Sequence, residues 1–467
     1  VLNREGLTES LGRLLGYLRT WQGPDNGLFG GMIATWWSST VETAVAHPMN
    51  QYPVILGLLE LHRAGVGGGE WLVEATRIGD GLVGSMGPDD MLANCWGDIP
   101  GKGTGTVIFA GPALALAELA KDSKEARYLE AAQALLDVID VRWSIRGQNS
   151  DGVANQGLKW AEAMDAVGRI RRDTEIRERA RWLATKVLSQ QIKNGSEKGA
   201  FHQGRSDDRL ITVYVGKCLT SLAKLYEYTG DRRLLDAAME AAVYVSRQSA
   251  EGGLFLNYKE GVGPIYNVIN RLPRFDRLIF RRAIPTYRLW RSVITEWRTT
   301  VYPSFIARAA DTIRGLWLLG RDNADIRRDA EGFIQRFLQF QLPHGGFRNA
   351  VGFRGEPSEV SWQDVCCPTR WNAYAFLLLA QVVADLGGQC GVREFPCDEA
   401  FECPIGGPGR LVFREMSGSV EIADGDEAIV SIRKPEGVAV HVAPAWRGDL
   451  TGERSSQNMA VQRKDQQ

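Results

Sequence analysis

Apolar residues recur at helical spacing in paired segments from residue 7 to about residue 386, and nothing in that span alternates with the period of two that a sheet requires. The spacing predicts helices over 7–21 and 52–64, 70–84 and 105–121, 125–142 and 157–171, 174–192 and 209–229, 232–248 and 303–319, and 324–341 and 369–386. The first helix of each pair carries more charge, as in ARYLEAAQALLDVIDVRW. The second is richer in small and apolar residues, as in GTVIFAGPALALAELA. A helix that is apolar most of the way round needs neighbours on all sides, so the second helices are predicted to form an inner ring and the first an outer one.

A Gly-, Asn- or Asp-rich turn, often closed by an aromatic, follows the first helix of each pair: WQGPDNGLFGG from Trp21, SMGPDDM from Ser85, IRGQNSDGV from Ile145, QIKNGSEKGAFHQG from Gln191, RQSAEGGLF from Arg247 and QLPHGGF from Gln341. The second helices begin near residues 52, 105, 157, 209, 303 and 369, so the first three intervals are about 52 to 53 residues, the mark of a repeat architecture. The longer later intervals place insertions at 256–302 and 348–368. The expected organisation is an all-α toroid of six helical hairpins over 1–388, including the insertion 256–302. From about residue 405 the pattern becomes alternating and β-branched, which predicts a small β-rich appendage over 389–450 and a disordered tail over 451–467.

This sixfold pattern resembles the (α/α)6 toroid shared by many glycoside hydrolases, polysaccharide lyases and sugar epimerases. The resemblance is one of architecture, and chemistry has to be argued from the site. In such a toroid the loops entering the inner helices converge on one mouth. Here they read ETAVAHPMNQYP, NCWGDIPGKGTGT, NSDGVANQGLKW, FHQGRSDDRL, TEWRTTVYP and WQDVCCPTRWN.

Polar, acidic and aromatic residues recur in these loops, and two of the chain's five histidines, His47 and His202, fall in them. A sugar stacks its C–H face on a ring while its hydroxyls need directional partners, so the expected substrate-binding residues are Asn50, Gln51, Tyr52, Trp96, Asp98, Gln156, Trp160, Tyr214, Trp297, Arg298, Arg370, Trp371 and Asn372. Any one of these tryptophans and amides would serve equally well as helix-end packing or a cap; the recurrence around six loops favours a ligand. Glycoside hydrolysis needs one protonated and one ionised carboxyl, and Asp207, Asp208, Asp364 and Glu296 are the candidates, with His47 and His202 as further acid/base groups. Adjacent acids such as Asp207 and Asp208 invite unequal proton affinities, although either fits a helix cap. An elimination mechanism would instead draw on His47, Asn50, Tyr52, His202, Tyr214 and Arg298. A glycan-binding toroid without catalysis is the third alternative.

Composition narrows the partners. Fifty-five basic and 56 acidic side chains nearly cancel, which argues against nucleic acid as partner. No apolar run reaches membrane-spanning length, the N-terminal stretch does not read as a signal peptide, and seven cysteines fit reduced thiols, so a cytoplasmic setting is expected. Eight arginines between Arg271 and Arg298, interleaved with aromatics, would suit an acidic sugar chain, because guanidinium pairs bidentately with carboxylate.

CCPTRWNAYAFLLLA resembles the Cys-Cys-Pro helix start of the β-L-arabinofuranosidase family, and that resemblance implies zinc held by Cys366 and Cys367, with Cys366 as nucleophile. The family's Glu-x-Cys corresponds to Glu296 followed by Arg298, and its further cysteine corresponds to Asp364, so two thiolates are missing. NCWGDIPG resembles the zinc-cysteine loop of the lanthionine synthetase cyclases, but no cysteine precedes His202 where that family has one. The expectation is therefore a cofactor-free enzyme cleaving a glycosidic bond in an acidic oligo- or polysaccharide, with zinc chemistry as an alternative.

Overall fold

A computed structural model describes residues 2–20, 48–67, 70–86, 106–144, 153–202, 210–250, 253–256, 258–261, 299–300, 303–352, 362–365 and 367–387, and the strands within 401–442. All twelve helices read from the sequence are present: α1 (Arg4–Thr20), α2 (Pro48–Arg63), α3 (Glu70–Gly84), α4 (Val107–Ser123), α5 (Ala126–Ser144), α6 (Ala154–Arg171), α7 (Thr174–Leu188), α8 (Thr212–Thr229), α9 (Arg232–Arg247), α10 (Ala310–Leu319), α11 (Ala324–Leu338) and α13 (Thr369–Asp385). A one-turn helix, α12 (Trp362–Val365), precedes the last. Local chemistry sets several ends. Asp173 and Asp231 accept the Ile176 and Arg233 amides at the starts of α7 and α9, Asn323 accepts two amides at the start of α11, and Gly230 closes α8 at φ +68°.

The chain forms two compact units. One comprises Val1–Ile139, Phe337–Asn349 and Ser358–Gln467, the other Asp140–Arg336 and Ala350–Pro357. In the first, α2 lies between α4 and α13, with α3 on α2 and α4 and α1 on α13. In the second, α8 lies between α6 and α10, with α7 on α6 and α9 on α8. The apolar second helices are thus the inner ones, as their composition predicts. They approach closely: a methyl group at Gly57 would meet the Phe376 ring at 2.8 Å, and one at Gly216 would meet Thr312 Oγ1 at 1.9 Å.

The turns after α7, α9 and α11 share one geometry, closed by isolated antiparallel bridges Gln191 to Phe201, Ser249 to Phe255 and Gln341 to Phe347. The three phenylalanines are buried. Two of the turns also share a clasp. Gln191 Nε2 donates to Gly199 O and to Ala237 O of α9, and Gln341 Nε2 donates to Gly345 O and to Ser10 O of α1. This explains why α7 and α11 stop at Leu188 and Leu338, short of the predicted 192 and 341: the glutamines are recruited into the turns.

Two inner helices likewise start later than their periodicity suggests. Leu210–Ile211 (β1) pairs with Tyr258–Gly261 (β2), which pairs with Thr299–Thr300 (β3). Ser304–Phe305 (β4) pairs with Ala350–Val351 (β5), and a 3₁₀ turn, Ala307–Ala309, then leads into α10. Strands β6 (Phe401–Pro404), β7 (Arg410–Met416), β8 (Ser419–Asp424), β9 (Glu427–Arg433) and β10 (Val440–Val442) form a five-stranded antiparallel meander. No helix among the described residues is long and apolar enough to cross a membrane.

Candidate functional site

In the first unit the candidate residues gather where α2 and α13 begin. Pro368 stands at the N-cap of α13, and Asn372 in its first turn clasps the preceding Phe of the QLPHGGF turn: Phe347 N donates to Asn372 Oδ1 at 2.6 Å, while Asn372 Nδ2 donates to Phe347 O and Pro368 O, both at 3.1 Å. The carboxamide is committed to backbone, so Asn372 holds the turn in place. Asn50 Nδ2 reaches Thr369 Oγ1 at 3.5 Å and ties the start of α2 to that of α13. Tyr52 is buried, hydrogen-bonded hydroxyl to hydroxyl with Tyr374, and its ring occupies the space that a side chain at Gly111 would need. Gln51 is fully buried beside it.

From Tyr374 the aromatic surface continues outward. Trp371 stacks on Tyr374 at 5.9 Å, and the Arg370 guanidinium lies 4.8 Å from the Trp371 ring centre; both side chains are half-buried. A flat indole beside a guanidinium offers a sugar a stacking face and fixed donors. Asp364 on α12 is fully buried, and its backbone carbonyl accepts from Arg348 Nε at 3.4 Å.

Cys367 lies in a small buried cluster that the sequence reading missed in part. The Tyr17 hydroxyl donates to Cys367 O, and the Tyr17 ring stacks on His344 at 5.1 Å. Gly346 N donates to His344 Nδ1 at 3.1 Å, which assigns the ring proton to Nε2, 3.7 Å from Cys367 Sγ; the sulfur also lies 3.5 Å from Val365 O. Nε2–H then faces the sulfur, and the sulfur in turn donates to Val365 O. Among the described residues no three His, Cys, Asp or Glu side chains gather as a metal-ligand set.

Burial pushes the His344 imidazole down from 6.5 to about 4. Its folded-state value lies below the unfolded one, so the unfolded chain takes up the proton first. Stability from this residue is therefore full above about pH 6.5 and lost as pH falls toward about 4. Urea unfolding at pH 7 and pH 5 is expected to show a larger loss for the wild type than for His344→Gln; equal losses would overturn this.

In the second unit, Trp160 is buried with its indole N–H unpartnered among the described residues, and Gln156, Tyr214 and His202 are half-buried. Beside them are groups that the sequence reading passed over. Lys159 Nζ donates to Glu162 Oε2 at 2.6 Å, Ser221 Oγ donates to the same oxygen at 2.8 Å, and all three side chains are buried. Asn155, Lys159 and Glu162 stand at i, i+4 and i+7, so a run of polar residues along one face of an inner helix was the available signal. His47, Trp96, Asp98, Asp207, Asp208, Glu296, Trp297, Arg298 and Cys366 lie outside the described residues.

No protein-family profile matches the chain, and no curated protein sequence does. Solved structures do match. A cellobiose 2-epimerase from Spirochaeta thermophila is similar over 82% of this chain and 96% of its own, with TM-score 0.56 and 13% identity. An α-1,6-mannanase from Salegentibacter is similar over 82% and 100%, with TM-score 0.52 and 14% identity. An unsaturated glucuronyl hydrolase specific for heparin is similar over 82% and 97%, with TM-score 0.51 and 12% identity. The chain therefore has the (α/α)6 fold of these carbohydrate-active enzymes.

Proposed function

We propose that this protein is a carbohydrate-active enzyme that hydrolyses a glycosidic bond in an acidic oligo- or polysaccharide. The observation that carries the reading is the Trp371, Arg370 and Tyr374 shelf at the start of an inner helix, in a chain whose fold is that of three enzymes acting on sugars. The shelf supplies a stacking face, and hydrolysis then needs two carboxyls on opposite sides of the bond. Asp364, Asp207, Asp208 and Glu296 are the proposed acid/base set, with His47 and His202 as auxiliary proton carriers. The arginine-rich stretch 271–298 supports an acidic substrate, and the heparin-specific neighbour agrees with that choice.

Epimerisation is the second reading, favoured by the cellobiose 2-epimerase neighbour. A panel of neutral and uronate-containing oligosaccharides separates the chemistries. Hydrolysis is expected, with new reducing ends. Unsaturated uronate products would instead identify a lyase, and an isomer of unchanged mass an epimerase. With the substrate in hand, at least one of Asp207→Ala, Asp208→Ala and Asp364→Ala is expected to lower kcat by about 100-fold or more. Full activity in all three would overturn the acid/base assignment.

A further inference from the structure

Seven residues are nearly two helical turns, so parallel helices whose contacts recur every seven residues keep one face toward each other. Two such rungs join α6 to α8: the Arg169 guanidinium lies 3.7 Å from the Tyr228 ring centre, and Ser221 donates to Glu162 at 2.8 Å. One more step of seven on each helix sets Asn155 level with Tyr214, in the first turn of both helices. This top rung differs from the two below it. Asn155 is more than nine-tenths buried, and its Oδ1 has no partner among the described residues.

One turn down, Lys159 spends one of its three N–H groups on Glu162, and both bonds received by that carboxylate fall on Oε2, which leaves Oε1 for another donor. Gly168, which packs against Arg177 of α7, lies roughly 140–180° round α6 from Asn155 and Lys159, so the polar stripe is turned away from the outer helix. Buried amides, ammoniums and carboxylates with unfilled capacity are uncommon in folded chains and are ordinarily matched by water or a ligand.

We infer that the top of the α6/α8 seam is a subsite for a neutral, hydroxyl-bearing sugar ring, held by Asn155, Tyr214, Lys159 and Glu162. The buried cations are already engaged. Lys159 is paired with Glu162 and Lys217, on the same face of α8, also has a partner, so neither is offered to an anion, and a uronate carboxylate would face Glu162 Oε1. A sugar hydroxyl donates and accepts at once, which suits an amide, a phenol, an ammonium and a carboxylate oxygen set one helical turn apart. The inference rests on the carbohydrate reading above and deepens it: an acidic substrate places a neutral ring here and its carboxylate elsewhere.

The test uses the full chain and saturation-transfer NMR with glucose, mannose, galactose, glucuronate and galacturonate. Wild type is expected to bind at least one of the neutral sugars. Asn155→Leu, which removes a side chain whose Oδ1 is unpartnered, should bind it about tenfold more weakly with no fall in Tm, and Tyr214→Phe should weaken it similarly. Unchanged affinity in both variants would remove the subsite and leave the carbohydrate reading standing. Binding of uronates alone would overturn the neutral-ring assignment, and binding of none of the five sugars would overturn both. Should Asn155→Leu fail to fold, Tyr214→Phe decides the matter by the same readout.

Discussion

Gly345→Ala is expected to destabilise the protein by about 3–5 kcal/mol. Gly345 has φ +91°, and a Cβ built there would lie 2.2 Å from the backbone oxygen of Arg13 in α1. No side-chain rotation relieves a contact with backbone, so either α1 moves outward or the turn unwinds. In the second case Gln341 loses one of its two carbonyl partners. Gly387→Ala is the matched control: φ is +64°, yet nothing lies within 4 Å, so only the backbone preference is lost, at about 1 kcal/mol. Urea unfolding of both variants measures the contrast, and equal losses would show that the approach of α1 to the turn is not what Gly345 secures. Gly199→Ala repeats the experiment at the related turn, where φ is +94° and Glu240 O would lie 2.0 Å away.

Lys159→Met is expected to cost about 3–5 kcal/mol, because it strands the Glu162 carboxylate in the interior with Ser221 as its remaining donor. The double variant Lys159→Met/Glu162→Gln should return to within about 1 kcal/mol of wild type, since both charges leave together and the amide still accepts from Ser221. The comparison separates the price of an orphaned charge from the worth of the pair. A single variant no less stable than the double would show that the pair is not desolvated. Both proteins should lose sugar binding if the α6/α8 seam is a subsite, so stability and binding diverge in the double variant.

The helices were legible because twelve amphipathic or apolar segments carry their period locally, whatever they touch. Their ends were less so. Gln191 and Gln341 continue the helical pattern in sequence but leave it to bond carbonyls on α9 and α1, while Leu210 and Ser304 pair with strands that are distant along the chain. Such pairings leave no trace in a window of a dozen residues. At the candidate site, the partners of each side chain were hidden from the sequence. The rim repeat pointed to Trp371 and Arg370, which form the shelf, but it pointed equally to Asn372 and Tyr52, whose polar atoms are taken up by Phe347 and Tyr374. Nothing near Asn372 in the sequence shows that its partner lies 25 residues upstream. Lys159 and Glu162 were missed for the opposite reason: the stripe was visible, but lysine and glutamate on a helix ordinarily mark a solvated face.

The glutamine clasp also bears on how the chain is made. After α7 it grips the next outer helix in sequence, α9, but after α11 it grips α1, through bonds that span 331 residues. During synthesis at roughly 5–20 residues per second, α1 has emerged for about twenty seconds to a minute before Gln341 exists to hold it. Its apolar face, with Leu7, Leu11, Leu14 and Leu18 fully buried at the end, has to wait exposed or sheltered by something else during that time. α1 is made long before the turn that secures it, and premature release or truncation near that turn leaves it without its clasp.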